Sequence, residues 1–286
     1  MTKLFVFVIL SFVGVPGFAL GLIFVAAASL VTEPVAPLAL TVSPAELPDV
    51  SAQSYYVFDL ATGVPIATKD EETPRPIASV TKLIASTVFF TGVQLGQPVT
   101  INATDVATEG ESGRLVAGDT YLARELIFPA LLESSNDAAT VQARVYPGDM
   151  LAAMEALADR AEASDVSFAD TSGLSSGNKA SAHALAKVLT LIAAEQPHLF
   201  DITRLTKYVH TNTTWLNNNP LAILPGYRGG KHGYTNEAGR TAVAIFTDVI
   251  ATGEPRQIGY VLLGSDDLKS DIQALRPYVS AATRLE

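Results

Sequence analysis

The longest apolar run in the chain comes first. Leu4 to Val31 carries no charge over 28 residues, with Lys3 before it and Glu33 after it. A secretory signal core needs about 7–15 apolar residues and a membrane span about 20, so this run is long enough to span. Gly14, Pro16, Gly17 and Gly21 interrupt it without excluding that reading. The pattern then becomes polar and proline-bearing from Thr32 to Val50, which reads as an extended tether. Ser54–Asp59 is β-rich, Leu60–Gly63 turns it, and Val64–Thr68 returns, predicting a hairpin. An apolar helix follows Pro76, with Leu83, Ile84, Ala85, Val88, Phe89 and Phe90. Val99–Ile101 suits a short strand. The middle third reads as helical over Leu122–Leu132, broken or kinked at Pro129, then over Ala138–Arg144, Leu151–Ala163 and Ser181–Ala194, with Asp170–Gly177 as a loop. The last third returns to strands: Lys207–Thr214, the glycine-rich Gly229–Tyr234, Ala242–Phe246 and Gly259–Gly264. A closing helix is predicted over Leu268–Thr283. Strands at both ends and helices between them predict an α+β fold.

Composition narrows the chemistry. The net charge is −10 and no Lys/Arg cluster is visible, which argues against nucleic acid as a partner. There is no cysteine, so disulfides, thiolate metal sites and cysteine nucleophiles are excluded. No two histidines sit four apart on a helix, and neither a metal nor another cofactor is expected. His183 and His210 read as surface or capping residues and His198 as a loop residue. The single lysine ahead of the apolar run predicts a cytoplasmic N-terminus and an extracytoplasmic body. Residues 1–31 are then a membrane anchor or signal segment, 32–50 a linker, and 51–286 a catalytic domain with a helical lobe over about 95–195. Ala26-Ala27-Ala28 offers a cleavage site, which would release the body as a secreted protein.

Three polar groups stand in order along the chain. Ser79 and Lys82, three residues apart, share a helix face if Ser79 lies in the first turn. A half-buried lysine is pushed toward its neutral form, and a neutral amine can take the serine proton. Alone, the tetrapeptide is a pattern many chains carry by chance, and it suits a lysine snorkelling to water better than a catalytic one. Ser134 and Asn136 lie at a predicted helix–helix junction. Lys231, His232 and Gly233 sit in the glycine-rich stretch, where a lysine also suits an edge strand guarded against aggregation.

Together Ser79-x-x-Lys82, Ser134-x-Asn136 and Lys231-His-Gly233 resemble the three motifs of penicillin-binding proteins and class A β-lactamases. The flanking residues extend the likeness: Arg75–Leu83, Leu131–Ala139, Phe168–Leu174 with Ser181-Ala-His183, and Gly230–Gly239. The chain is similar over residues 52–280 to the low-molecular-weight penicillin-binding proteins, the serine-type D-Ala-D-Ala carboxypeptidases. That resemblance implies a DD-peptidase fold, with an antiparallel sheet covered by helices beside an all-α lobe. It implies that Ser79 is the nucleophile, Lys82 the base and Ser134 a proton relay. It further implies that Asn136, Lys231, His232, Gly233 and Tyr234 bind substrate, the Tyr234 and Ser79 N–H groups forming an oxyanion hole. The partners would be a peptidoglycan stem peptide ending in D-Ala-D-Ala, β-lactam antibiotics as acylating inhibitors, and the membrane.

Two departures stand out. His232 replaces the usual Thr or Ser, which predicts carboxylate recognition that varies with pH near the imidazole range. The arginine that many members place near the last helix is missing; the nearest match is Asp271, with Lys269 beside it. A D,D-endopeptidase on crosslinked peptidoglycan would use the same residues. A β-lactamase would need a water-activating glutamate, and Glu155 and Glu162 sit in a helical pattern instead. A non-catalytic envelope scaffold is the reading from a different class.

Overall fold

The computed structural model describes residues 40–43, 46–110, 113–211 and 213–285. Five antiparallel strands form the central sheet: β1 (Ser54–Asp59), β2 (Pro65–Lys69), β3 (Tyr227–Thr235), β4 (Gly239–Val249) and β5 (Pro255–Ser265). Their order is β3-β4-β5-β1-β2, so the two ends of the domain meet in one sheet and β3 is an edge. Every residue of β1 is buried, because both faces of the sheet are covered. Tyr56, Phe58, Val243, Ile245, Val261 and Leu263 face one core. Tyr55, Val57, Ala242, Ala244, Tyr260 and Leu262 face the other. The alternation of period two splits each strand between the two cores.

The first core joins the sheet to helices α1 (Thr81–Gly92), α2 (Ile127–Leu132), α3 (Asn136–Val145), α4 (Met150–Arg160), α5 (Ala182–Glu195) and α6 (Pro197–Arg204). Helix α1 is buried from Thr81 to Phe89, as its run of apolar residues on all sides requires. The second core lies under α7 (Leu268–Ala282). Side-chain caps set where several helices begin: the oxygens of Ser135, Asp149, Ser181 and Asp267 accept from N–H groups of the first turns of α3, α4, α5 and α7.

Several sequence expectations need correction. Pro129 does not break a helix: a 3-10 turn at Ala123–Leu126 gives way to α2 at Ile127, and Pro129 lies in the first turn of α2, where its missing N–H has no helical partner to lose. Pro197 starts α6, so His198 is helical, packed on Phe90 with ring centroids 4.1 Å apart. Lys207–Val209 and Thr214–Leu216 are two strands of a hairpin rather than one. His210 lies between them, against Trp215 and Tyr121. His183 stacks on Tyr56 and pairs with Glu72.

The expected tether is partly sheet, since Leu40–Val42 pairs with Thr283–Leu285 just after α7. Asp271 is buried and spent on the same end of the chain, accepting from the N–H groups of Ser51 and Ala52 and the hydroxyls of Ser51 and Ser265. It therefore has a structural role in place of the substrate-binding arginine. Among the described residues no helix is long and apolar enough to cross a membrane. The run Leu4–Val31, expected as an anchor, lies outside them.

Candidate active site

Ser79 is the middle residue of a 3-10 turn, Ala78–Val80, that leads directly into α1. The turn holds Ala78 at φ 47°, a left-handed conformation that costs a non-glycine residue of order 1–3 kcal/mol and persists only where its surroundings enforce it. Here they do: the Thr81 hydroxyl donates to Ala78 O (2.8 Å) and the Thr241 hydroxyl on β4 donates to Ile77 O (2.8 Å). The turn is clamped between its own helix and the sheet.

One helical turn on, Lys82 is fully buried. Its Nζ donates to Ser79 Oγ (3.0 Å), Asn136 Oδ1 (2.7 Å) and Ser172 O (2.6 Å). The side-chain amide of Asn136 also donates to Glu109 O (2.7 Å). Asn136 opens α3, and Ser134 sits two residues earlier at the α2–α3 corner with φ 63°. Backbone strain of this kind gathers at functional corners. Ser134 Oγ accepts from Nζ of Lys231 at 3.0 Å, and Lys231 also donates to His232 O (2.6 Å). The structure thus brings together Ser79, Lys82 and Asn136 as one contact set, and Ser134 and Lys231 as a second.

Strand β3 lies directly against the Ser79 turn. A Cβ on Gly233 would fall 2.5 Å from Ser79 N, so only glycine permits this approach. Register places Lys231 opposite Val243 and Gly233 opposite Thr241, on the sheet face toward the turn. His232 and Tyr234, opposite Ala242 and Arg240, take the other face. The edge also has a direction. Gly230 N–H donates away from β4 to Thr203 Oγ1 (2.9 Å), and His232 O accepts Lys231 Nζ. In an antiparallel ladder backbone groups alternate in direction residue by residue, so the Tyr234 N–H points the same way, out of the sheet. The Tyr234 ring is exposed and its hydroxyl donates to Asn236 Oδ1 (3.1 Å).

His232 is half-buried, and its buried Nδ1 has no partner among the described residues. Burial, then the charges of Lys231 and Arg240, push its pKa well below the ordinary imidazole value. The imidazole is therefore neutral at neutral pH, and the expected titration near the ordinary imidazole range moves to lower pH.

The loop Asp170–Gly177 contributes a part that the motifs did not indicate. Ser172 supplies a carbonyl to Lys82, and Gly173, at φ +84°, packs so closely that a Cβ would sit 1.9 Å from Ala78 O. Asp170 shapes the loop by accepting N–H bonds from Ser172, Gly173 and Ser175. Burial alone would raise its pKa, but the N–H donors of Ser175, Gly173 and Ser172 outweigh it and hold the carboxyl below its ordinary value. The sequence signal for this was the Asp-Thr-Ser-Gly string, which favours an Asx-type turn but does not say what the turn will touch. Among the described residues no group of three His, Asp or Glu side chains could hold a metal ion.

A family profile described as D-alanyl-D-alanine carboxypeptidase, peptidase S11, matches residues 40–257. The D-alanyl-D-alanine carboxypeptidase DacB2 of Mycobacterium tuberculosis is 33% identical over 207 residues, covering 69% of this chain and 71% of that protein. The D-alanyl-D-alanine endopeptidase of Escherichia coli is 27% identical over 213 residues, covering 70% and 68%. The crystal structure of a D-alanyl-D-alanine carboxypeptidase from M. tuberculosis superposes with a TM-score of 0.75 at 25% identity, covering 84% of this chain and 97% of that one. The fold is shared also by the Streptomyces DD-transpeptidase, with a TM-score of 0.73 at 23% identity, covering 82% and 98%. With a profile match over most of its length and a 33% identical relative covered to more than two thirds, the chain belongs to the peptidase S11 family of D-alanyl-D-alanine carboxypeptidases.

Proposed function

We propose that this chain removes the terminal D-alanine from peptidoglycan stem peptides through an acyl-enzyme on Ser79. The observation that carries the reading is the 3.0 Å contact between Ser79 Oγ and a fully buried Lys82 Nζ. With the amine neutral, that contact runs from the hydroxyl to the nitrogen, and Lys82 is placed to accept the Ser79 proton as Oγ attacks the penultimate carbonyl. Asn136 and the Ser172 carbonyl fix the amine so that it meets the hydroxyl and not water. The carbonyl oxygen, gaining charge, faces the N–H groups of Ser79 and Tyr234; donors of this kind are worth about 3–4 kcal/mol each. As the intermediate collapses, the C–N bond breaks, and the proton that Lys82 took from Ser79 passes through Ser134, which Lys231 holds in place, to the leaving amine, leaving Lys82 neutral again. Water then attacks the ester with Lys82 again accepting a proton, and Ser79 is restored. Lys231, His232 and the Gly233 backbone line the place of the substrate's C-terminal carboxylate.

The body acts outside the cytoplasm, where its substrate is, and the uncharged run Leu4–Val31 supports anchoring in the cell membrane. β-Lactams, cyclic acylating agents, are expected to react with the same serine. Intact-mass spectrometry of the protein mixed with a penicillin, alongside release of D-alanine from an N-acyl-D-Ala-D-Ala peptide, tests the reading. A lasting adduct and D-alanine release, both lost in Ser79→Ala, are the expected result. An unmodified protein with intact drug and no D-alanine would leave a scaffold, and rapid drug hydrolysis without D-alanine release a β-lactamase. The endopeptidase reading is favoured by the names of the relatives from E. coli and Pseudomonas aeruginosa, and crosslinked muropeptides offered beside monomers distinguish it.

A further inference from the structure

Ser134 keeps a left-handed backbone conformation (φ 63°), which a non-glycine residue holds only where its surroundings enforce it. Its two neighbours in the chain are tied down on both sides. Glu133 follows directly on α2, and the last carbonyls there are capped from beyond the 207–216 hairpin. Asn218 donates its N–H to Leu132 O (3.0 Å) and its side-chain amide to Glu133 O (3.0 Å). Ser135 donates its N–H to Pro129 O (3.0 Å). Gly113 packs on Ser135 so closely that a Cβ would sit 2.3 Å from Oγ, and Trp215 Nε1 donates to Gly113 O (2.7 Å).

The side chain of Glu133 reaches the same hairpin. Its Oε1 accepts the Leu216 N–H (2.9 Å) and pairs with the Arg114 guanidinium, which donates to Thr214 O. Within the hairpin, Thr213 O accepts the His210 N–H and the Asn217 N–H donates to Thr206 O. Backbone groups alternate in direction along a strand, so those of Thr214 and Leu216 face outward along one open edge. The Glu133–Arg114 pair occupies that edge as a neighbouring strand would, accepting from Leu216 and donating to Thr214. Glu133 is largely buried and Arg114 is half in solvent, with 15% and 53% of their side chains accessible. A solvent-facing ion pair contributes little to stability, so the consequence of this one is geometric.

We infer that Glu133 is a positioning residue for the acyl transfer. Seated on the hairpin edge with Arg114, it keeps the corner from relaxing and holds Ser134 Oγ on Lys231, in the path of the proton bound for the leaving amine. The inference rests on the acyl-enzyme reading above, in which Ser134 passes that proton. The alternative is an ion pair that only decorates the surface.

Two substrates separate these roles. An N-acyl-D-Ala-D-Ala peptide expels an amine, which must gain a proton as it leaves. An N-acyl-D-alanyl thioester expels a thiolate, which needs none. For Glu133→Ala, kcat/KM on the peptide is expected to fall about 10–100-fold, mostly through kcat, and on the thioester less than about threefold. Glu133→Gln keeps an acceptor for the Leu216 N–H and should recover most of the peptide activity. In a Ser134→Ala background, Glu133→Ala should cost less than about a further twofold, because the group it positions is gone. Should Glu133→Ala fail to fold, Arg114→Ala keeps the test open: it removes the solvent-facing half of the pair and should cost about 3–10-fold on the peptide alone. Equal losses on both substrates, no loss on the peptide, a Gln variant no better than Ala, or an undiminished loss in the Ser134→Ala background would each overturn the assignment. A wild-type protein that turns over neither substrate and forms no penicillin adduct would overturn the acyl-enzyme reading and the inference with it, an outcome distinct from the others.

Discussion

Lys231 on the edge strand and Ser134 on the α2–α3 corner meet through a 3.0 Å hydrogen bond although 97 residues separate them. Both are buried, so losing Ser134 would cost Lys231 one of its acceptors, and losing Lys231 would take from Ser134 Oγ the donor that fixes it. The two should therefore act as a unit. Ser134→Ala and Lys231→Ala are each expected to lower kcat/KM for a D-Ala-D-Ala peptide by about 10²–10³, and the double variant by far less than the product. A double-mutant cycle should give a coupling of about 1–3 kcal/mol. Strict additivity would mean that the bond is structural scenery.

Gly173 tests whether the loop supports the nucleophile. Its φ of +84° disfavours any side chain, and a Cβ would meet the Ala78 carbonyl at 1.9 Å, against backbone that cannot easily yield. Gly173→Ala is expected to destabilise the fold by about 2–4 kcal/mol. It should also slow penicillin acylation of Ser79, because the displaced segments carry both Ser79 and the Ser172 carbonyl that holds Lys82. Thermal unfolding and the second-order acylation rate are the readouts. A folded variant of wild-type stability would contradict the packing described.

Asp137, next to Asn136, is buried with Oδ1 unpartnered among the described residues. Burial, and then repulsion from Asp105, raise its pKa to about 6. A carboxyl whose folded pKa lies above its unfolded value of 3.8 holds its proton more tightly in the native state. Its contribution therefore favours folding at low pH and is lost as pH rises from about 4 to about 6. Asp137→Asn should stabilise the protein by about 1 kcal/mol at pH 7.5 and make no difference near pH 4, as read by denaturant midpoints at the two pH values. Equal effects at both would exclude the titration as the cause.

The hairpin, α1, the closing helix and the three motifs were legible because each rests on local information: alternation, apolar runs and short spacings. Ser79 and Lys82 needed only one turn of helix to meet. What was not legible depends on which segments meet. Nothing near Ser172 indicates that its carbonyl will face a lysine 90 residues earlier in the chain. The arginine missing from the C-terminal segment pointed to Asp271, yet that carboxylate ties Ser51 and Ala52 to α7, a role set by strand order rather than by local pattern.

His232 carries the remaining expectation. Burial, then the charges of Lys231 and Arg240, hold its folded pKa well below 6.5. The unfolded chain then binds the proton more readily, so the stability linked to neutral His232 is present above about pH 6.5 and is lost as pH falls through that value toward the folded pKa. This is opposite in sign to Asp137, and the two partly cancel between about pH 4 and 6. Substitution separates them: His232→Thr should lose less stability than wild type on acidification from pH 7 to pH 5. Between pH 6.5 and 8 the imidazole is neutral throughout, so KM for the peptide should be flat on its account in wild type and in His232→Thr alike. NMR of the imidazole C–H signals, with the His232 resonance assigned by its absence in His232→Thr, should show its pKa move up in Arg240→Ala as a neighbouring cation is removed. A wild-type His232 titrating at its ordinary value, or one indifferent to Arg240, would mean that burial and the neighbouring cation do not hold the imidazole neutral.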